Sequence, residues 1–116
     1  MADPFIGEIR TFGFDFAPRQ WAHCDGQAIP LVQNTTLFAL LGNTYGGDLK
    51  TKFMLPDLRG RTPLGRGFAN GSEFKQGEAG SFVSAETASA PVDEKSFGTL
   101  GVNFCIALQG VWPPRW

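Results

Sequence analysis

The chain has 116 residues, enough for one domain with one modest core. Its 10 basic and 11 acidic side chains give a net charge of −1, which offers no electrostatic reason to expect nucleic acid or a membrane surface as a partner. With 15 Gly and 8 Pro, the composition favours short strands joined by tight turns over long helices.

The N-terminus, Met1-Ala2-Asp3-Pro4, has neither the basic nor the apolar segment of a signal peptide. No apolar run approaches the length of a membrane span. We therefore expect a chain that is cytoplasmic before release and has no Sec signal peptide. It would reach a virion tail or an extracellular appendage by lysis, by a dedicated secretion machine or as part of a particle.

Residues 5–16 predict the first strand, because Phe12, Phe14 and Phe16 alternate with small or polar residues and so would share one face of a sheet. Residues 17–20 predict a turn. The Asp25-Gly26 pair, between two short apolar runs, is typical of a two-residue β-hairpin.

Residues 34–42 predict the single helix, of about two turns. Asn34 or Thr35 is placed to cap its start, and Gly42 is placed to end it. Its apolar stripe consists of Leu37, Phe38, Leu40 and Leu41. A short strand is expected at 53–55.

The glycine-rich segment 44–61 predicts a loop of fixed shape, since it combines residues that restrict or release the backbone with charged partners. We interpret Asp48 as a turn residue and Asp57 as the centre of ion pairs, so that replacing Asp57 by Ala should destabilise the fold. The expected loop-bracing residues are Tyr45, Gly46, Gly47, Asp48, Asp57, Arg59 and Arg61.

The basic residues between 50 and 66 have two interpretations. They either belong to a solvated loop with internal ion pairs or form a patch that binds a phosphate or a glycan. In the second case the ligand-facing residues would be Tyr45, Lys50, Lys52, Arg66 and Phe68.

Residues 67–99 predict an irregular loop. Within it, residues 83–99 form either an exposed loop or an extended arm that adds to a neighbour's sheet. Residues 102–109 predict the best strand of the chain, with apolar residues on one face and small residues on the other, so we expect it to be central. Candidate assembly contacts are Phe5, Ile6, Val83, Val92, Phe97, Trp112 and Trp116.

The two cysteines, Cys24 and Cys105, are predicted to be buried free thiols, with a disulfide possible only if their strands are neighbours. With a single histidine, a Cys/His zinc site is not expected. His23 and Cys24 would point to opposite faces of a strand and so could not form a nucleophile–base pair.

Several motifs together resemble the phage tail collar domain, in the branch of microcystin-dependent proteins. The resemblance covers residues 4–66 and 100–114. The motifs that carry it are Pro4-Phe5-Ile6-Gly7-Glu8-Ile9, Cys24-Asp25-Gly26-Gln27, Tyr45-Gly46-Gly47-Asp48, Leu55-Pro56-Asp57-Leu58-Arg59-Gly60-Arg61 and Asn103-Phe104-Cys105-Ile106-Ala107-Leu108-Gln109-Gly110.

The resemblance implies a place in tail fibres, collars or related appendages, usually within trimeric assemblies, and no enzyme activity. Members of the family usually carry a longer middle stretch, which often has a Leu-Pro-x-His-x-His motif whose histidines can bind metal in trimeric fibres. Residues 67–99 are shorter and contain no histidine, so we expect no metal, no cofactor and no separate receptor-binding head.

We therefore expect one domain over residues 1–116, of α+β class but mostly β: a small twisted antiparallel or mixed sheet, one short helix and long glycine-rich loops. Its expected function is that of a self-assembling structural subunit, with itself as partner in a trimer or filament. The alternative is a tail-fibre module that binds a surface glycan or receptor as a trimer, or contacts other tail proteins.

Overall fold

A computed structural model of the chain describes residues 3–69, 71–80 and 98–115. The strands are β1 (Ile9–Phe12), β2 (Trp21–His23), β3 (Ala28–Pro30), β4 (Lys52–Met54), β5 (Gly67–Ala69), β6 (Ser72–Phe74) and β7 (Asn103–Ala107), and the helix is α1 (Thr35–Leu41). The strands form one three-stranded sheet in the order β1-β7-β2 and two two-stranded sheets, β3-β4 and β5-β6, and all pairs are antiparallel. The expected class, mostly β with one short helix, is confirmed.

The strand at 103–107 is central, as its sequence predicts. Cys105 of β7 lies opposite Arg10 of β1 and opposite His23 of β2, and Ile106, next along β7, lies opposite Ile9 and Ala22. Residues 105–107 are fully buried, because both faces of this strand are covered. A strand of small and apolar residues tolerates that position without leaving a polar side chain in the interior.

The two ends of the described chain are bound to each other beside this sheet. Ile6 N–H donates to the Val111 carbonyl, and Val111 N–H donates to the Pro4 carbonyl, both at 2.9 Å. A Cβ at Gly110 would overlap the Pro4 carbonyl oxygen, so this contact requires glycine.

One apolar core joins the sheet to the helix and to the β3-β4 pair. Its buried members come from β2, β3, β4, β7, α1 and the loops between them: Ile6, Ala22, Cys24, Ile29, Leu37, Phe53, Leu55 and Ile106. Leu37 and Phe53 are completely buried, and the Phe38 ring packs 5.3 Å from the Phe53 ring. The apolar stripe of the helix thus faces the core, as its spacing predicts.

The helix begins after Asn34 and ends at Gly42, whose N–H bonds the Phe38 carbonyl at 2.8 Å and whose φ is 55°. The expected side-chain cap is not made. Asn34 Nδ2 donates instead to the Pro30 carbonyl at 2.9 Å, which ties the helix start to the end of β3.

The predicted hairpin at Asp25-Gly26 is wrong. β2 pairs with β7 and β3 pairs with β4, while Asp25 forms a bridge with Asp57. A hairpin of two three-residue strands buries little apolar surface, whereas pairing with β7 buries Ala22 against Ile106. Non-local packing therefore overrides the local turn preference.

Two other expectations need correction. The strand predicted over 5–16 ends at Phe12, and Phe14 and Phe16 lie in a bend, although their rings remain adjacent with centroids 4.5 Å apart. The stretch expected to be irregular from residue 67 contains the β5-β6 hairpin, whose Gly71 has φ 80°. Within the described ranges, no helix is long and apolar enough to cross a bilayer.

The core makes a direct prediction for α1. Leu37→Ala should lower the free energy of unfolding by about 2–5 kcal/mol, because it removes a fully buried side chain and leaves a cavity. Urea titration of the variant measures this. The matched control is Val32→Ala, since Val32 is 77% exposed and its truncation should cost less than about 0.5 kcal/mol. Equal losses in both variants would contradict this placement of the core.

Candidate functional site

The glycine-rich segment is organised around Asp48. Its Oδ1 accepts hydrogen bonds from the backbone N–H groups of Lys50, Thr51 and Lys52 at 2.8–3.1 Å, and its Oδ2 accepts from the Thr51 hydroxyl at 2.6 Å. Leu49, the residue after Asp48 in this turn, has φ 63°. One carboxylate thus holds a turn that a non-glycine residue adopts only at some cost. Asp48 is more than the simple turn residue that its sequence context predicts.

These bonds hold the pKa of the Asp48 carboxyl well below its usual range, chiefly through the Thr51 hydroxyl and then through the three backbone N–H donors. Both oxygens of the carboxylate accept hydrogen bonds from the protein itself. Because its pKa is low, Asp48 is a weak general base.

Asp57 forms the second polar centre. Its two carboxylate oxygens accept from Arg59 Nε and Nη2, each at 2.9 Å, and its carbonyl accepts from Arg61 Nη1 at 2.9 Å. The Arg59 side chain is the main reason that the pKa of the Asp57 carboxyl is lowered. Gly26 packs directly on the Asp57 side chain, so this cluster also fixes the crossing between β2 and β3.

The paired glycines let two chain segments touch. Gly47 lies against Phe53, and Met54 N–H donates to the Gly46 carbonyl at 3.0 Å. A Cβ at Gly47, where φ is 121°, would lie 2.6 Å from the Phe53 Cα. This contact connects the loop directly to the most buried ring of the core.

Tyr45 connects the same loop to the segment after β6. Its hydroxyl accepts a hydrogen bond from Gln76 Nε2 at 3.2 Å. A Cβ at Gly77 would lie 2.7 Å from the Thr44 carbonyl oxygen, so the two segments approach at a glycine here too. Among the expected loop-bracing residues, Tyr45, Gly46, Gly47 and Asp48 therefore lie in one loop, and Asp57, Arg59 and Arg61 form a separate cluster.

The candidate ligand-facing residues lie on three segments of the described chain. Lys50 and Lys52 lie on the Asp48 turn and are exposed. Arg66 immediately precedes the β5-β6 hairpin, and Phe68 lies in its first strand, where it is 81% exposed. Tyr45 is half-buried against Gln76.

The candidate assembly contacts divide into three groups. Phe5 and Trp112 are half-exposed and lie near the joined ends of the described chain. Ile6, predicted to lie with them, belongs to the core instead, because its N–H bond to Val111 turns the side chain inward. Val83, Val92, Phe97 and Trp116 lie outside the described residues.

A polar cluster on β7 was missed from the sequence. His23 Nδ1 lies 2.9 Å from Asn103 Oδ1, and the Cys105 Sγ lies 3.5 Å from the same oxygen and 3.9 Å from His23 Nδ1. Asn103 Nδ2 donates to the Phe16 carbonyl, so its oxygen faces His23, which donates from Nδ1. Only the non-local β2-β7 register brings these groups together, and no local sequence motif predicts that register.

The three residue types resemble a thiol–imidazole catalytic set, but their environment opposes catalysis. Cys105 is completely buried, and that burial raises the pKa of its thiol. Burial likewise raises the pKa of Cys24 to about 12, helped by the nearby Cys105 and Asp25. Both thiols are free, as predicted, although their strands are neighbours.

No described residues supply a metal site either. In the ranges 3–69, 71–80 and 98–115, no three His, Cys, Asp or Glu side chains cluster in a way that would hold a metal ion. The geometry of the segment around Asp48 and Asp57 fixes a surface shape.

Comparison with known proteins places this part of the chain in a family. The family model of the phage tail collar domain matches residues 7–63, which contain β1 to β4, α1 and both polar centres. The resemblance seen in the sequence is thereby confirmed over this stretch. The microcystin-dependent branch and the shortened middle stay predictions. A search of curated proteins found no match.

The close contact at Gly47 can be tested. Gly47→Ala should lower the free energy of unfolding by about 1–3 kcal/mol, because a methyl group there would strike the Phe53 backbone. Gly65→Ala is the matched control, since a Cβ at Gly65 meets no atom within 4 Å. Urea denaturation compares the two, and equal stability of both variants would contradict the contact.

The lowered pKa of the Asp48 carboxyl leads to a prediction of how the stability of the fold depends on pH. Because its pKa is lower in the folded chain than the usual value near 3.8, its contribution is complete above that value and is lost as the pH falls further. Asp48→Asn should therefore lower the thermal midpoint at pH 7 and reduce the decline of that midpoint between about pH 5 and pH 2. The control is Asp15→Asn in the exposed bend. Parallel pH curves for Asp48→Asn and the wild type would show that the carboxylate does not brace the loop.

Proposed function

We propose that this chain, which contains a phage tail collar domain over residues 7–63, is a self-assembling structural subunit of a phage-tail-derived fibre, collar or extracellular filament. The match of residues 7–63 carries the proposal, because that domain is a structural part of phage tails. The proposed location is a virion tail or a related appendage. The proposed partner is the chain itself.

The polar groups support a structural role. The carboxylates of Asp48 and Asp57 are occupied by donors from their own loops, so they stabilise shape and have little capacity left for a substrate. The thiols are buried and protonated at neutral pH.

The exposed apolar surface supports self-association. Phe5, Val111 and Trp112 are each about half-exposed and lie together, because Phe5 pairs with Val111. Beside them, an open groove of about 530 Å³ is lined by Ala39, Leu40, Trp112, Pro113, Pro114 and Arg115. Apolar surface grouped in this way usually marks a site of contact with another protein.

The alternative proposal is a trimeric module that binds a glycan or a receptor. It is favoured by one observation, the β5-β6 hairpin, which presents Phe68 almost fully to solvent next to Arg66. Aromatic and cationic side chains in combination suit a sugar or an anionic surface. A glycan array on the purified protein tests this role, with Phe68→Ala as the variant expected to lose any binding found.

The native particle mass tests the main proposal. Light scattering with negative-stain imaging should show a ring, a filament or another oligomer, and Trp112→Ser should weaken that assembly because it removes a half-exposed indole. Leu64→Ser, at another exposed apolar residue, is the matched control. A wild-type chain that stays monomeric at every concentration tested would overturn the proposal.

A further inference from the structure

The three-stranded sheet has two edges, β2 and β1, and local turns of the described chain bond to backbone groups at the first of them. At the β2 edge, Trp21 N–H donates to the Pro18 carbonyl at 3.0 Å, and the His23 carbonyl accepts from Gln27 Nε2 at 3.3 Å. The backbone groups of β2 that point away from β7 are those of Trp21 and His23, and these two bonds engage one group of each residue. Local turns therefore occupy part of the edge that another strand would need.

The β1 edge is different. Ala107 N–H donates to the Glu8 carbonyl, and this bond fixes the alternation of the antiparallel ladder. The backbone groups of Arg10 and Phe12 then face β7, and those of Ile9 and Thr11 face outward. Among residues 3–69, 71–80 and 98–115, no strand pairs with that outward side. An open edge of this kind is a template for an extended chain.

We propose that β1 pairs antiparallel with β1 of a second copy, about a two-fold axis at Thr11, so that the two sheets become one. This interface rests on the proposed self-assembling function and specifies one of its contacts. A two-fold contact closes on itself. The surface around Trp112 would supply the second contact that a longer assembly requires.

Charge and backbone geometry select this register. A two-fold axis at Arg10 would set two arginines directly opposite each other, which is unfavourable. An axis at Ile9 would need Gly7 to continue the strand, but Gly7 has φ 84°. An axis at Thr11 instead sets Arg10 opposite Phe12 of the second copy. The Arg10 guanidinium already lies 5.2 Å from the centre of the Trp21 ring, so an aromatic environment suits it.

The same register covers exposed rings. Phe12, Phe14 and Phe16 form a row with successive ring centroids 5.0 and 4.5 Å apart, and Phe12 also packs edge-on against Trp21. Phe14 and Phe16 are exposed in the single chain. Because the two-fold axis would be perpendicular to the sheet, the two rows would lie side by side on one face.

Sedimentation velocity with three proteins tests the interface. Thr11→Lys should abolish the association, because it brings two ammonium groups to the axis, and it should keep the fold, because Thr11 is exposed. Ser72→Lys adds the same charge to an exposed strand position on β6 and should associate like the wild type. Near-UV circular dichroism of each variant checks that the fold is kept.

A second measurement reads the register directly. Hydrogen-bonded antiparallel pairs place Cα atoms about 5.5 Å apart, within disulfide range, so Thr11→Cys should form a linked dimer under mild oxidation. Thr36→Cys, on the exposed side of α1, is the control and should not. The native thiols are buried and so should contribute little.

The outcomes separate this interface from the general function. A monomeric wild-type chain would overturn both. A wild-type oligomer that Thr11→Lys leaves intact, or one in which Thr11→Cys gives no linked dimer, would overturn the β1 interface alone. A disulfide from the introduced thiol to another part of the same chain would also overturn it, since the edge would then be occupied internally. Loss of the oligomer in Thr11→Lys together with a linked dimer of Thr11→Cys supports it.

Discussion

The insertion of β7 between β1 and β2 is the interaction on which the other contacts depend. It pairs β7 with a strand on each side, leaves Cys105, Ile106 and Ala107 fully buried, and carries the chain to Val111, where the two ends bond each other. The match to the phage tail collar domain stops at residue 63, far before this strand. The matched segment therefore completes its sheet with a strand from the other end of the chain.

The segments around Asp48 and Asp57 are attached to the core that this sheet helps to form. Asp48 and Asp57 each bind the donors of their own segment, and Gly47 brings the first of these segments against Phe53 in the core. The carboxylates of both segments are therefore bonded by donors of the chain itself, as polar groups in folded proteins generally are.

Local patterns predicted those features that depend on neighbouring residues. The spacing of Leu37 and Phe38, with glycine at 42, placed the helix within a residue of its bounds. The Asp25-Gly26 pair misled for the same reason: its turn preference is real, but β7 competes for β2 and buries more apolar surface. The central role of Asp48 was underestimated, since its three backbone donors converge only when the turn has formed.

The sequence by itself determined the class, the helix, the central strand and the likeness to the collar domain, because periodicity and short motifs are properties of neighbouring residues. Only the tertiary structure decided which of the described strands pair and that His23 meets Asn103 and Cys105. These depend on contacts between residues about eighty positions apart. Such contacts are chosen by the total surface that the fold buries, which no local pattern encodes.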